Sequence, residues 1–225
     1  MHMIKAIIFD KDGTLHDTEK VFGRAWRLAA EELGVPDIET TLHDCTGMAL
    51  PAIAEYWAAK YPDIPFSEYL PRRSYHFDRI LEDGVPVKDG AYELLEYLVS
   101  HGYRVGLATS TEGADSLSHL ARTDMIKYFD KDAIITGDMV EHGKPAPDIY
   151  LLAAARLGVD PADCIGVEDS NNGVRAIFAA GMRPVMIPDV VKPAPDVAAL
   201  AWRQLSALSE LIPLLEAESR EEASV

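Results

Sequence analysis

An apolar run near the start of the chain, Ile4-Lys5-Ala6-Ile7-Ile8-Phe9, stops abruptly at Asp10-Lys11-Asp12-Gly13-Thr14-Leu15. A short β-rich apolar segment bounded by turn residues reads as a buried parallel strand. Two carboxylates at the carboxyl end of such a strand fall in the crevice where open α/β sheets bind ligands. Like charges placed side by side raise the energy of a site unless a cation neutralises them. A hard divalent cation such as Mg²⁺, which prefers oxygen ligands, answers that need. The same residues can also be read as an acidic turn closing a strand, which accounts for Gly13 but not for the second aspartate.

Past Leu15 the period becomes helical for some seventy residues. Val21, Phe22, Ala25, Leu28, Ala29 and Leu33 recur at spacings of three and four, with Thr18 placed to cap the helix and Gly34 and Pro36 to stop it. Further helices are predicted over 49–61 and 66–81, and no strand pattern occurs before Pro86. From there helix and strand alternate: helices over 90–100, 113–122, 148–157 and 171–180, and strands over 103–109, 133–136, 164–167 and 184–187. Such alternation means βαβ units and a parallel sheet covered on both faces. A last helix is expected over 206–216, followed by an acidic, frayed tail. The expected fold is therefore α/β, a doubly wound Rossmann-like sheet formed by residues 1–15 and 87–225. Residues 16–86 form an inserted all-helical domain.

Three further stretches end or follow strands at the same edge of this sheet. Thr109 and Ser110 follow Val105-Gly106-Leu107-Ala108 and can donate to phosphate oxygens, or simply cap the next helix. Lys144 lies in Gly143-Lys144-Pro145-Ala146-Pro147-Asp148. It suits a phosphate or a carboxylate cluster, or is a surface lysine. Glu168 and Asp169 end another strand and begin a helix, either as metal ligands with Asp10 or as an acidic first turn favoured by the helix dipole. A single site for Mg²⁺ and a phosphoryl group accounts for all four stretches together.

On these motifs the chain resembles the haloacid dehalogenase-like superfamily, in the right order and over nearly its whole length. The inserted helices resemble the cap of the subgroup that includes β-phosphoglucomutase and many small-molecule phosphatases. The resemblance implies that Asp10 is the nucleophile, forming an aspartyl phosphate, and that Asp12 is the general acid and then the base. Thr109, Ser110 and Lys144 would hold the phosphoryl oxygens. Mg²⁺ would be bound by the Asp10 carboxylate, Asp12 through its backbone carbonyl and Asp169, with Glu168 as ligand or support. Dehalogenases of the superfamily lack the second aspartate, so Asp12 argues for phosphate chemistry.

The mutases of this subgroup use a histidine on the first cap helix and basic residues around a Lys-Gly loop. Here the helix position is Phe22, and the loop Cys45-Thr46-Gly47-Met48-Ala49-Leu50 keeps Gly47 without a lysine or arginine. Arg72, Arg73 and His76 on the third cap helix can supply a substitute clamp, or form a solvated basic face. The expected activity is a phosphatase on a small phosphorylated metabolite, a sugar phosphate or similar ester. A β-phosphoglucomutase-like isomerase is the alternative within the family, and a phospho-acceptor signalling module a remoter one.

Twenty-one basic against 37 acidic residues give a formal net charge of -16, which disfavours nucleic acid and anionic membranes as partners. Cys45 and Cys164 have no zinc-ligand spacing, and free thiols in a reducing cytoplasm are expected. No signal peptide or membrane span is legible. A monomer or weak homodimer is expected.

Overall fold

The computed structural model describes residues 3–45, 48, 50–190 and 192–222. The chain divides into two units, one made of the segments up to His16 and from Val87 onward, the other of Asp17–Pro86.

The first unit is built on a parallel sheet of β1 (Ala6–Phe9), β2 (Arg104–Ala108), β3 (Ile134–Ile135), β4 (Cys164–Glu168), β5 (Arg183–Met186) and β6 (Arg203–Gln204). Their spatial order is β3-β2-β1-β4-β5-β6. The strand nearest the amino terminus is thus central, paired with β2 on one side and β4 on the other. Because side chains alternate along a strand, β1 feeds both cores. Ile7 and Phe9 join a cluster with Leu94, Leu95, Leu98, Leu120 and Leu211. Ala6 and Ile8 join another with Ile149, Ala153, Leu157 and Ile177. The first cluster draws on α5 (Ala91–Ser100), α6 (Gly113–Arg122) and α10 (Leu211–Glu222), the second on α7 (Asp148–Leu157) and α8 (Asn171–Ala179). This two-sided burial explains why the strands read as near-continuous apolar runs.

The second unit holds α1 (Thr18–Leu33), α2 (Ile38–Cys45), α3 (Leu50–Lys60) and α4 (Phe66–Glu82). Its core is aromatic: Trp57 and Tyr69 ring centroids lie 4.0 Å apart, and the Tyr69 hydroxyl donates to the Trp26 carbonyl at 2.8 Å. The sheet prediction holds, with β6 as an unanticipated sixth strand. Helix α2 was also missed. Thr18 is the buried first residue of α1 rather than its cap, and the preceding Asp17 makes no side-chain capping bond. The tail expected to fray continues in helix as far as Glu222, with a short 3₁₀ turn at Leu208–Glu210 in place of the expected start. Short α9 (Pro195–Ala198) starts at one of the prolines that break the pattern there. Both cysteines are free, and no helix among the described residues is long and apolar enough to cross a membrane.

Candidate active site

The strand order brings the carboxyl ends of β2, β1 and β4 side by side, and β1 and β4 flank the point where the winding reverses. The Asp10 N–H donates to the Val167 carbonyl at 2.9 Å, locking the first aspartate to the end of β4. The chain then turns sharply. Leu15 and His16 N–H groups return to the Lys11 carbonyl, both at 2.9 Å, and Gly13 takes φ 84°. Only glycine suits that position, because a Cβ there would also collide with the Asp169 carboxylate.

Asp10, Thr109, Glu168 and Asp169 are all buried. The Lys144 ammonium, 7% exposed, lies 2.6 Å from Asp10 Oδ1 and 2.6 Å from Glu168 Oε1. Burial pushes the Asp10 carboxyl up to about 7, Lys144 pulls it back, and Glu168 and Asp12 add to the rise. Burial opposes the charge on Lys144, but Asp10 and Glu168 hold its pKa well above the usual lysine range.

Glu168 is saturated with donors. Lys144 and the Tyr150 hydroxyl, at 3.3 Å, serve Oε1. The N–H groups of Asp169 and Ser170 and the Ser170 hydroxyl serve Oε2 at 3.1, 2.8 and 2.8 Å. Ser170 also caps α8, accepting from the Gly173 N–H at 3.0 Å. Thr14 Oγ1 donates to Asp169 Oδ1 at 3.4 Å. Asp12 accepts from Thr111 Oγ1 at 2.7 Å on Oδ2, and Lys11 Nζ lies 3.2 Å from that same oxygen.

Asp10, Glu168 and Asp169 each offer a carboxylate oxygen within 4.8 Å of the others. Three buried carboxylates with only oxygen donors fit a hard divalent cation. Of the two roles open to Glu168, its crowded oxygens favour support over direct ligation.

Ser110 is exposed beside buried Thr109, whose hydroxyl accepts from the Thr111 N–H at 3.1 Å. Arg72, Arg73 and His76 lie on α4 of the helical unit. His76 Nε2 is 2.9 Å from Glu32 Oε1, and Arg72 pairs with Glu68 and Glu32 at 3.4 and 3.8 Å. Arg73 instead stacks 4.8 Å over the Phe22 ring, with a buried Nε that has no hydrogen-bond partner among the described residues. Gly47 lies outside the described residues.

Sequence reasoning missed Thr111 and Tyr150 as hydrogen-bond partners of Asp12 and Glu168, and Lys11 as a buried neighbour of Asp12. Thr111 had a visible signal, a third hydroxyl in the row Thr109-Ser110-Thr111. Tyr150 sits among the apolar positions of α7, where it reads as core.

A family model described as haloacid dehalogenase-like hydrolase matches residues 4–181. The phosphorylated carbohydrates phosphatase of Thermotoga maritima is 36% identical over 186 residues, 81% of this chain and 84% of its own. The β-phosphoglucomutase of Bacillus subtilis is 33% identical over 187 residues, 80% of this chain and 81% of its own. A HAD family hydrolase of Deinococcus radiodurans, solved with bound phosphate and sodium, superposes with a TM-score of 0.81 at 26% identity, covering 97% of this chain and 98% of that one.

Proposed function

The chain belongs to the haloacid dehalogenase-like hydrolase family, and on that premise we propose that it is a Mg²⁺-dependent phosphatase of a small phosphorylated carbohydrate, working in the cytoplasm through an aspartyl phosphate on Asp10. The Lys144 ammonium carries this assignment, lying 2.6 Å from both Asp10 and Glu168, while Asp12, Thr109 and Asp169 follow the carboxyl ends of β1, β2 and β4.

The Asp10 carboxylate attacks phosphorus, the bond from phosphorus to the ester oxygen breaks, and Asp12 gives that oxygen its proton. Asp12 then takes a proton from the water that attacks the aspartyl phosphate, and inorganic phosphate leaves. Thr109, Ser110 and Lys144 donate to the phosphoryl oxygens, on which charge gathers in both transition states. Asp10 and Asp169, with the Asp12 backbone carbonyl, would hold Mg²⁺, which when bound offsets the charge of the carboxylates and the phosphoryl group. Glu168 holds Lys144 and the first turn of α8 in place. Substrate selection is assigned to the helical unit, and within it to Arg73, whose buried Nε has no hydrogen-bond partner among the described residues.

With Mg²⁺, the purified protein should release phosphate from sugar phosphates and from a nitrophenyl ester. Chelator should abolish this release, and Asp10→Asn should be inactive. Full activity in that variant would overturn the nucleophile assignment. Conversion of glucose 1-phosphate to glucose 6-phosphate with little phosphate release would make the protein a mutase instead.

A further inference from the structure

Next to the carboxylates lies a buried polar cluster to which the reaction above gives no role. The Lys11 side chain is fully buried, and a buried ammonium is costly unless it is paired. Its contacts are Asp12 Oδ2 at 3.2 Å and His119 Nδ1 at 3.3 Å. The His119 nitrogen can receive an N–H from Lys11 only when it carries no hydrogen, so the ring bears its proton on Nε2.

His119 is itself held in place. It lies on α6, its backbone carbonyl accepts from Thr123 Oγ1 at 2.9 Å, and its ring meets that of His16 edge-on at 6.3 Å. His16 Nε2 is 3.2 Å from the same threonine hydroxyl, and the His16 N–H returns to the Lys11 carbonyl at 2.9 Å. The circuit Lys11, His119, Thr123, His16 thus closes on itself beside Asp12. The Lys11 ammonium, as an ion-pair partner, and the Thr111 hydroxyl, as a hydrogen-bond donor, converge on Asp12 Oδ2. A proton on that oxygen would face the ammonium, so the proton that Asp12 exchanges sits on Oδ1.

We propose that Lys11, seated on His119, is a positioning residue for Asp12: with Thr111 it pins Oδ2 and so presents Oδ1 as the oxygen that exchanges the proton. This rests on the acid–base role proposed for Asp12.

The test compares kcat/KM on two esters, because that ratio covers events up to departure of the leaving group. A sugar phosphate needs a proton on its leaving oxygen, whereas nitrophenolate leaves without one. Lys11→Met should lose about 10- to 100-fold on the sugar phosphate, part of the ~10²–10⁴ that positioned proton transfer contributes. On the nitrophenyl ester it should lose less than about threefold. His119→Leu should show the same bias, and His119→Asn, whose side-chain oxygen restores an acceptor for Lys11, should recover most of the loss. If Lys11→Met does not fold, the two His119 variants carry the test. Equal losses on both esters, in step with a fall in Tm, or no recovery in His119→Asn, would overturn the proposal. Asp12→Ala is run in parallel. Without a leaving-group bias there, the acid–base reading of Asp12 fails and the role of Lys11 with it. With a bias there but none in Lys11→Met and His119→Leu, the role of Lys11 alone is overturned.

Discussion

Replacing Lys144 with methionine keeps the bulk of the side chain and removes the ammonium that lies 2.6 Å from both Asp10 and Glu168. The side chains of Lys144, Asp10 and Glu168 are 7%, 9% and 1% exposed, so water cannot take over the lost contacts. Removing one partner of a buried pair costs about 3–5 kcal/mol. The low end applies here, because burial has already pushed Asp10 up to about 7 and it can shed its charge by taking up a proton. A loss of about 3 kcal/mol lowers Tm by roughly 6–12 °C in a chain of this size. A divalent cation held by Asp10 and Asp169, as proposed, would restore positive charge to the same carboxylates, so the deficit should be smaller in Mg²⁺ than in chelator. Activity should fall about 10²–10³-fold in kcat, the usual loss of one donor to transition-state oxygens. Thermal unfolding of wild type and Lys144→Met, each in EDTA and in Mg²⁺, checks the first effect, and steady-state phosphate release the second. A variant as stable as wild type in EDTA, or a Tm deficit indifferent to Mg²⁺, would refute the view of Lys144 as counter-charge to this cluster.

Acid should weaken the fold through His16, which burial above all, aided by Lys11 and His119 and opposed by Asp12, lowers to about 4. An unfolded histidine protonates near 6.5, so this contribution is whole above that pH and fades as pH falls from there towards 4. The loss reaches about 3 kcal/mol. Urea unfolding across that range should show it, and His16→Asn should flatten the slope; an unchanged slope counts against the assignment. At Gly173 an added Cβ would run into the Glu168 carboxylate. Gly173→Ala should therefore cost about 1–3 kcal/mol by overpacking and lower activity, and a variant unchanged in both would show that Glu168 has room to move. Arg73→Ala should raise KM for the preferred sugar phosphate about tenfold, the value of one charge-assisted hydrogen bond, with kcat/KM on the nitrophenyl ester little changed. Equal losses on the two esters would remove Arg73 from substrate selection.

What was legible in the sequence follows from where each residue stands in the sheet. Buried parallel strands are apolar on both faces, so β1, β2 and β4 stand out as runs, and residues just past a run fall at one edge. Asp10, Thr109 and Glu168 can be found that way without knowing the strand order. Strand β6 could not, because Arg203–Gln204 is exposed and makes no apolar run. Helix α2 has the sequence IETTLHDC, with few apolar positions to set a period. Lys11 was hidden for another reason. Its burial is decided by α6, which starts about a hundred residues later and brings His119 to it. The same holds for Arg72 and His76, tied to Glu32 of a different helix, and for Arg73 over Phe22. A strand end declares its direction through the alternation of its own side chains. A polar residue on a helix declares only a face, and what meets that face is set by distant sequence. The chemistry proposed for this chain, carried by residues at and just past strand ends, is therefore far easier to read than the proposed substrate, whose selection is assigned to side chains on helices.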